Sequence, residues 1–285
     1  MAGMERIGVI GGGLMGSGIA EVTGRAGLDV VVVEVTDEAA KAAEDRIRSS
    51  LERALSRGKI DDAELAEIGK RITVTTELTA LADRDLVVEA ASEREDIKLD
   101  LFRKVGAILE KEDAILASNT SSIPIVKLGA VSGRADRVMG VHFFNPAPVM
   151  QLVELIPSLT TGAETIARMQ DFVSGQLGKQ PIEATDRAGF VVNSLLVPYL
   201  LSAIRMYEAG YASAADIDKG MVLGCGHPMG PLALSDLIGL DTIRAIGISM
   251  YEEFKEPLYS PPPLLDRMVD AGLLGKKSGH GFYPY

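Results

Sequence analysis

Short apolar runs alternate with longer amphipathic stretches over the first part of the chain. Such runs between turn residues are typical of strands that a parallel sheet buries on both faces, and the stretches between them have the spacing of crossover helices. The alternation predicts an α/β domain built on a doubly wound, mostly parallel sheet. The strands are predicted at Arg6–Ile10, Val30–Glu34, Ile72–Thr75, Leu86–Glu89, Ala114–Ser118 and Arg137–Phe143.

The region between the second and third strands is long and polar. Asp37–Arg57 and Asp61–Gly69 have helical spacing and are separated at Gly58. We predict two helices that form a hairpin projecting from the sheet. A charged helix face is usually only solvated, but Ser50 and Arg57 are candidates for contact with an anionic ligand.

The pattern becomes helical after Gly189, which predicts a first domain over residues 1–186 and an all-α C-terminal domain over 187–285. Pro198 is expected to kink the first helix of the second domain. The many apolar positions there suggest a homodimer interface, although a helical core alone could account for them. Helices are predicted at Phe190–Ala209, Ala214–Leu223, Pro231–Tyr251 and Pro263–Ala271, with no strand before the tail Gly281–Tyr285.

A glycine-rich turn, Gly11-Gly12-Gly13-Leu14-Met15-Gly16, joins the first strand to a helical stretch. In a dinucleotide-binding turn of the Rossmann type, Gly11 permits the tight turn, Gly13 lets the backbone approach a pyrophosphate, and Gly16 lets the helix pack on the sheet. The helix N-terminus offers unpaired N–H groups to phosphates. Strand, glycines, helix and second strand in one unit make a plain turn the weaker interpretation.

Glu34 ends the second apolar run, where a carboxylate binds the adenine-ribose hydroxyls of NAD and repels the 2′-phosphate of NADP. No arginine lies among the next three residues, Val35 to Asp37. We therefore expect NAD as the cofactor, although Glu34 could be only a solvated strand end.

Composition narrows the class of protein further. A net charge of −11 on 285 residues argues against nucleic acid as a partner, because phosphate binding needs clustered lysine and arginine. A single cysteine, Cys225, excludes an intrachain disulfide, and no spacing of histidine, cysteine or acids suggests a metal site. No apolar stretch is long enough to cross a membrane and no signal peptide is apparent, so a cytoplasmic protein is expected.

The candidate chemistry lies between Ala117 and Glu154. The polar segment Ser118–Ser122 follows the fifth strand, at the sheet edge where ligands bind in such folds, although turn chemistry alone could explain it. His142 lies in the next strand, and Glu154 lies in the apolar stretch after the connection at Pro148. If these strands run antiparallel, His142 and Glu154 face each other with Cβ atoms roughly 4.5–5.5 Å apart.

Such a pair can exchange a proton with a substrate. Oxidation of a secondary alcohol with NAD needs a base for the hydroxyl proton, and a glutamate on the other ring nitrogen fixes the histidine tautomer. The alternative is a structural ion pair at a strand end. His227 and His280 are poorer candidates, since both lie in glycine-rich segments.

Several segments together resemble the L-3-hydroxyacyl-CoA dehydrogenase family. The resemblance covers essentially the whole chain, and its most specific part surrounds His142. Among members, the stand-alone bacterial enzymes that act on 3-hydroxybutyryl-CoA are the most similar, since no fused hydratase domain is expected. The segments are Ser118–Ser122, His142–Met150, Leu152–Glu154, Asn193, Gly226–Pro231, Asp236, Gly239–Asp241 and Gly275–Tyr283.

The resemblance implies NAD-dependent, reversible oxidation of (S)-3-hydroxyacyl-CoA to 3-oxoacyl-CoA by a homodimer that pairs through its C-terminal domain. It implies that His142 is the general acid/base and Glu154 its orienting carboxylate, and that Ser121 and Asn193 hold the oxygens of the substrate. The remaining substrate contacts are assigned to Asn145, Ser50 and Arg57. The cofactor contacts are assigned to Gly11, Gly13, Leu14, Met15, Gly16, Glu34, Ala90, Glu93, Lys98 and Asn119.

Three positions depart from the family pattern. Ala188 and Ser194 stand where relatives commonly carry proline and arginine, and Glu34 stands where many carry aspartate. Two other functions remain as alternatives. A dehydrogenase of a non-CoA hydroxy acid or sugar acid would need cations near His142, which the sequence does not supply there. A non-catalytic NAD-binding protein would be expected to lack the reactive groups that are present here.

Overall fold

The computed structural model describes residues 3–285 and divides into two compact units. The first ends at Asp186, and the second runs from Arg187 to Tyr285. No helix within residues 3–285 combines the length and the apolar character needed to cross a membrane.

The first unit contains an eight-stranded sheet in the order β3-β2-β1-β4-β5-β6-β7-β8. Every neighbouring pair is parallel except β6 and β7, which are antiparallel. All six predicted strands are confirmed, and the order is that of a doubly wound fold with an added edge. The strands are β1 Arg6–Ile10, β2 Asp29–Val33, β3 Ile72–Thr75, β4 Leu86–Glu89, β5 Ile115–Ser118, β6 Val138–Phe143, β7 Leu152–Pro157 and β8 Gln180–Glu183.

The central strands read as continuous apolar runs because helices cover both faces of the sheet. β4, β5 and β6 are buried along their whole length, whereas the edge strands β3 and β8 are partly exposed. The mixed polarity of β8, with Pro181 inside it, explains why no strand was predicted there. The helices of this unit are α1 Leu14–Arg25, α2 Asp37–Ser56, α3 Asp62–Arg71, α4 Glu95–Ile108, α5 Ile125–Ser132 and α6 Ala163–Asp171.

The helical hairpin α2–α3 has one buried face. Ala43, Ile47 and Leu51 recur every four residues along α2 and are buried, the last two in the core of the sheet. Thr36 caps α2 by accepting the Ala39 N–H, and Asp61 begins α3 with a capping box. The face of α2 opposite these three residues is not buried in the core and can contact a ligand.

The second unit is helical, with its own core around α7 and α10. The prediction of one helix over Pro231–Tyr251 is wrong, because Gly239 has φ +104° and separates two helices. α7 continues through Pro198, and the tail forms only isolated bridges at His280. The helices are α7 Val192–Glu208, α8 Ala214–Cys225, α9 Pro231–Ile238, α10 Leu240–Phe254 and α11 Pro263–Asp270.

Two buried aspartates hold the C-terminal tail. Asp218 accepts hydrogen bonds from the N–H groups that begin α9 and from the Tyr283 hydroxyl at 2.8 Å. Asp236 accepts the N–H groups of Phe282 and Tyr283 and the Tyr285 hydroxyl. Burial, reinforced by Asp236, raises the pKa of Tyr285 to about 12, and burial with the bond to Asp218 raises the pKa of Tyr283.

We expect the second unit to lose stability as the pH rises above about 10. There the tyrosines of the unfolded chain ionise while the folded ones keep their protons, so the unfolded state binds fewer protons and gains population. The double substitution Tyr283→Phe and Tyr285→Phe should flatten the fall in urea-unfolding midpoint between about pH 9 and pH 11. Tyr211→Phe, at an exposed tyrosine, is the control. An unchanged slope in the double variant would contradict this role.

Candidate active site

The glycine-rich turn lies where the strand order reverses, between β1 and β4, which is the ligand crevice of doubly wound sheets. Gly11 has φ +87°, and a Cβ atom there would lie 2.8 Å from the Ala90 carbonyl oxygen. A Cβ atom on Gly16 would lie 1.7 Å from the Gly11 carbonyl oxygen, so only glycine lets α1 pack this closely. These contacts agree with the predicted roles of the two glycines.

The start of α1 is open to a ligand. A Cβ atom on Gly13 would meet no atom within 4 Å. No side chain caps α1 and no acidic residue lies in its first turn, so the N–H groups at Leu14 and Met15 keep their attraction for an anion. An uncapped helix start beside an open glycine fits the pyrophosphate of a dinucleotide.

Glu34 is held against the same turn. Its Oε1 accepts the Gly12 N–H at 2.6 Å, and its Oε2 accepts the Val35 N–H at 3.2 Å. The Gly12 carbonyl oxygen accepts from the Arg46 guanidinium at 2.8 Å. The longer glutamate therefore reaches back to the turn while keeping lone pairs for ribose hydroxyls. Arg46 lies in α2, outside the three residues after Glu34 in which an arginine was sought.

His142 and Glu154 are directly opposed on β6 and β7, as predicted. His142 Nδ1 lies 2.7 Å from Glu154 Oε2, and the two residues are 8% and 0% exposed. The Phe144 ring meets the imidazole edge to face, with centroids 4.8 Å apart. The antiparallel pairing and the contact between the two side chains are confirmed.

Asn119 connects the end of β5 to the strand that carries His142. Its Oδ1 accepts the Phe143 N–H at 2.9 Å, and its own N–H donates to the Glu89 carbonyl oxygen at 2.7 Å. The side-chain amide is thereby fixed next to the end of β6. This places Asn119 at the same sheet edge as His142.

A buried ion pair fixes the ends of β4 and β5. The Lys98 ammonium donates to both oxygens of Glu89 at 2.7 and 2.8 Å, and neither side chain is more than 1% exposed. Ser118 Oγ donates to Glu89 Oε2 at 2.6 Å. The family resemblance assigns Lys98 to the cofactor, and Glu89 is not recognisable from the sequence because it reads only as the last residue of an apolar run.

Glu93 organises the loop after β5. Its Oε1 accepts the Ser121 N–H at 3.0 Å and the hydroxyls of Thr120 and Ser122, and its Oε2 lies 3.1 Å from Lys98. Burial opposes ionisation, but the charge of Lys98 and these hydrogen bonds keep the pKa of Glu93 below its usual value. Within residues 3–285 the Ser121 hydroxyl makes no hydrogen bond, so it is available to a ligand.

A cavity of about 470 Å³ lies between α1, α2 and the segment that follows β6. Ser50 and Asn145 line it, as do two residues that the sequence analysis missed, Arg46 and Arg53. In the described part of the chain neither arginine lies within 4 Å of a carboxylate. The two arginines are seven residues apart, about two helical turns, with Ser50 between them. This spacing places all three on one helix face and could have identified the arginines from the sequence. Arg57 caps α2 outside this lining.

Asn193 lies in the first turn of α7, in the second unit. The departures from the family pattern make local bonds there. The Ala188 N–H donates to Glu253 at 2.8 Å, which a proline could not do, and Ser194 Oγ donates to the Phe190 carbonyl oxygen at 2.7 Å.

A doubly wound sheet with an open dinucleotide turn and a buried imidazole–carboxylate pair at its edge defines a nicotinamide-dependent dehydrogenase. Residues 6–187 match the family description "3-hydroxyacyl-CoA dehydrogenase, NAD binding domain", and residues 189–285 match its C-terminal domain. The chain belongs to the 3-hydroxyacyl-CoA dehydrogenase family, and NAD is the cofactor of its first domain.

Individual relatives are similar over their full length. The chain is 55% identical over 282 residues to 3-hydroxybutyryl-CoA dehydrogenase of Mycobacterium tuberculosis, with 99% of each covered. It is 42% identical to the human mitochondrial hydroxyacyl-coenzyme A dehydrogenase, covering 99% of this chain and 91% of that one. The fold matches crystal structures of M. tuberculosis FadB2, with TM-score 0.99, 55% identity and full coverage of both chains, and of (S)-3-hydroxybutyryl-CoA dehydrogenase PaaH1 from Ralstonia eutropha, with TM-score 0.93, 45% identity and 99% of each covered.

We expect Lys98→Met to lower the free energy of unfolding by about 3–5 kcal/mol, because it leaves the Glu89 carboxylate buried without a counter-charge. The matched control is Lys104→Met on the same helix, whose pair with Asp100 is exposed and should be worth less than about 1 kcal/mol. Urea unfolding of both variants measures the difference. Equal losses in the two variants would contradict a special cost at Lys98.

Proposed function

We propose that this protein catalyses the reversible, NAD-dependent oxidation of (S)-3-hydroxyacyl-CoA to 3-oxoacyl-CoA, with 3-hydroxybutyryl-CoA as the preferred substrate. The observation that carries the proposal is the 2.7 Å contact between His142 and Glu154 at the edge of a dinucleotide-binding sheet. The full-length similarity to 3-hydroxybutyryl-CoA dehydrogenases supports the choice of substrate.

The chain supplies the acid–base part of the reaction. NAD⁺, which the glycine-rich turn and Glu34 would hold, would supply the hydride acceptor for the carbon that carries the 3-hydroxyl group. His142 Nδ1 is held by Glu154, so exchange of the hydroxyl proton falls to Nε2. The Glu154 carboxylate stabilises the imidazolium that results, and in the reverse direction the imidazolium returns the proton to the 3-oxygen.

Three polar side chains would orient the substrate. The Ser121 hydroxyl makes no hydrogen bond within residues 3–285 and would donate to the 3-oxygen, while Glu93 holds the Ser121 backbone. Asn119 presents its amide beside the end of β6 and would contact the nicotinamide and the substrate. Asn193 would hold the neighbouring carbonyl.

The cavity on α2 would take the CoA portion of the substrate. Ser50, Arg46 and Arg53 line it, and the two guanidinium groups are suited to phosphate. Asn145 reaches the same cavity from the segment after β6, whereas Arg57 would act from the exposed end of α2. In a chain of net charge −11, these local cations are what would attract an anionic thioester.

The protein would act in the cytoplasm as a homodimer that pairs through its C-terminal domain, 187–285. Leu195, Leu223 and Leu237 are large apolar side chains that this unit leaves exposed. A second copy covering them would remove apolar surface from water.

The test of the proposal is a spectrophotometric assay of acetoacetyl-CoA reduction. We expect turnover of the thioester with NADH, far slower turnover with NADPH because Glu34 repels its 2′-phosphate, and none of free acetoacetate. Absence of thioester turnover with both reduced cofactors would refute the function.

His142→Ala should lower kcat by about 10²- to 10⁴-fold, the range for loss of a general acid/base. Glu154→Gln should lower kcat by a comparable factor, up to about 10⁴-fold, because the imidazole loses its counter-charge and the amide favours the tautomer with the proton on Nε2. His280→Ala is the matched control at a histidine of the second unit. NADH affinity, measured by fluorescence titration, should stay nearly unchanged in all three variants. Loss of NADH binding in His142→Ala would assign that residue a structural role.

Arg53→Gln should raise KM for acetoacetyl-CoA by about tenfold, the effect of losing one charge-assisted hydrogen bond. It should leave the kinetics of the phosphate-free analogue acetoacetyl-N-acetylcysteamine unchanged. Arg48→Gln is the control, because Arg48 lies on the same helix and its charge is already paired with Asp45. A parallel loss with both thioesters would show that Arg53 acts on the fold rather than on CoA.

A further inference from the structure

A second cavity in the first unit, of about 370 Å³, has no part in the proposed reaction. It lies beside the connection from β6 to β7, which also borders the cavity on α2, and Pro148 lines both. Arg25, Lys179 and Gln151 are among its lining residues, and none of the lining residues is acidic.

Lys179 is a buried cation without a counter-charge. It is 5% exposed, and its ammonium donates to the carbonyl oxygens of Ala147 at 2.8 Å and Met150 at 2.7 Å. An ammonium has three N–H bonds, and no third acceptor is present among residues 3–285. No carboxylate of that part of the chain lies within 4 Å of the ammonium. Burial, with a contribution from the charge of Arg25, lowers the pKa of Lys179.

Arg25 adds a second positive charge to the same cavity. Its guanidinium contacts Glu21 at 3.3 Å, so one of the two cations is already balanced. The other oxygen of Glu21 is buried without a partner, and Glu21 does not line the cavity. The cavity is therefore left with an excess of one positive charge and with the free donor of Lys179.

We propose that this cavity is a binding site for a small oxyanion of the phosphate class. The Lys179 ammonium would supply its third N–H, Arg25 would supply a guanidinium, and the Gln151 amide could donate at the rim. The volume is many times the roughly 30 Å³ that one water occupies, so the anion can enter with part of its hydration shell. Because Lys179 holds two carbonyls of the β6–β7 connection, an occupant steadies that connection.

The experiment is a titration of the full-length protein with inorganic phosphate, followed by calorimetry at constant ionic strength. A dissociation constant of about 1 mM is expected. CoA and NAD⁺ carry phosphates of their own and would occupy the cavity on α2 and the glycine-rich turn, so the titration is repeated with both at saturation. Phosphate binding that persists in their presence supports the site beside Lys179, and binding that they abolish refutes it.

Two matched variants test the location. Gln151→Glu introduces a carboxylate at an exposed rim residue without removing the Lys179 contacts, and it should weaken phosphate binding at least tenfold. Gln180→Glu makes the same charge change next to Lys179 but outside the cavity lining, and it should leave binding intact. Equal weakening by both variants would show that only the net charge of the protein matters, and would overturn the proposed site.

Lys179→Met should abolish phosphate binding, with circular dichroism and melting to verify the fold. Hydrogen exchange gives a second readout in the unaltered protein. Phosphate should slow exchange of the Val149 and Met150 amides, which bond to the Pro146 carbonyl within the connection that Lys179 holds. Unchanged exchange at saturating phosphate would refute the steadying of the connection. The outcome does not depend on dehydrogenase activity, so the proposed function and this site can fail separately.

Discussion

The register between β6 and β7 is the constraint on which the proposed chemistry depends. His142 and Glu154 face each other because the two strands are antiparallel and pair residue for residue from Met139–Pro157 to Phe143–Val153. A shift of one residue would move Glu154 to the other face of the sheet. Both faces of these strands are buried, so such a shift would place the Glu154 carboxylate in apolar packing without its partner and disrupt the packing on both faces, and the core thereby maintains the contact.

The buried ion pair at the ends of β4 and β5 fixes the loop that follows β5. Lys98 neutralises Glu89 and lies beside Glu93, which in turn binds the backbone of Ser121. The loop that would bind substrate is therefore fixed to the sheet by charge-assisted hydrogen bonds, in addition to the turn hydrogen bonds that Thr120 accepts within the loop. The hydroxyls of Ser118 and Thr120 donate hydrogen bonds within this network, whereas the hydroxyl of Ser121 takes no part in it.

Strand positions and the facing pair could be predicted because both follow from local patterns: apolar runs mark buried strands, and opposed residues follow from a short connection. Glu89 could not be recognised, since a buried acid at a strand end differs from a solvated one only through Lys98, which lies on another element. Arg46 and Arg53 were missed because their place in the lining of the cavity, and the contact of Arg46 with Gly12, depend on how α2 packs. The break at Gly239 was missed because both flanking segments have helical spacing.

Ala188 stands where the family resemblance leads us to expect proline, and its backbone N–H holds the start of the second unit through a bond to Glu253. A proline ring there would restrict the unfolded chain and so act through entropy. The bond from the Ala188 N–H to Glu253 acts instead through enthalpy, in the folded state alone. Because that N–H is already bonded, introducing proline at this position would break the bond, and the loss in the folded state would outweigh the entropy saved in the unfolded one.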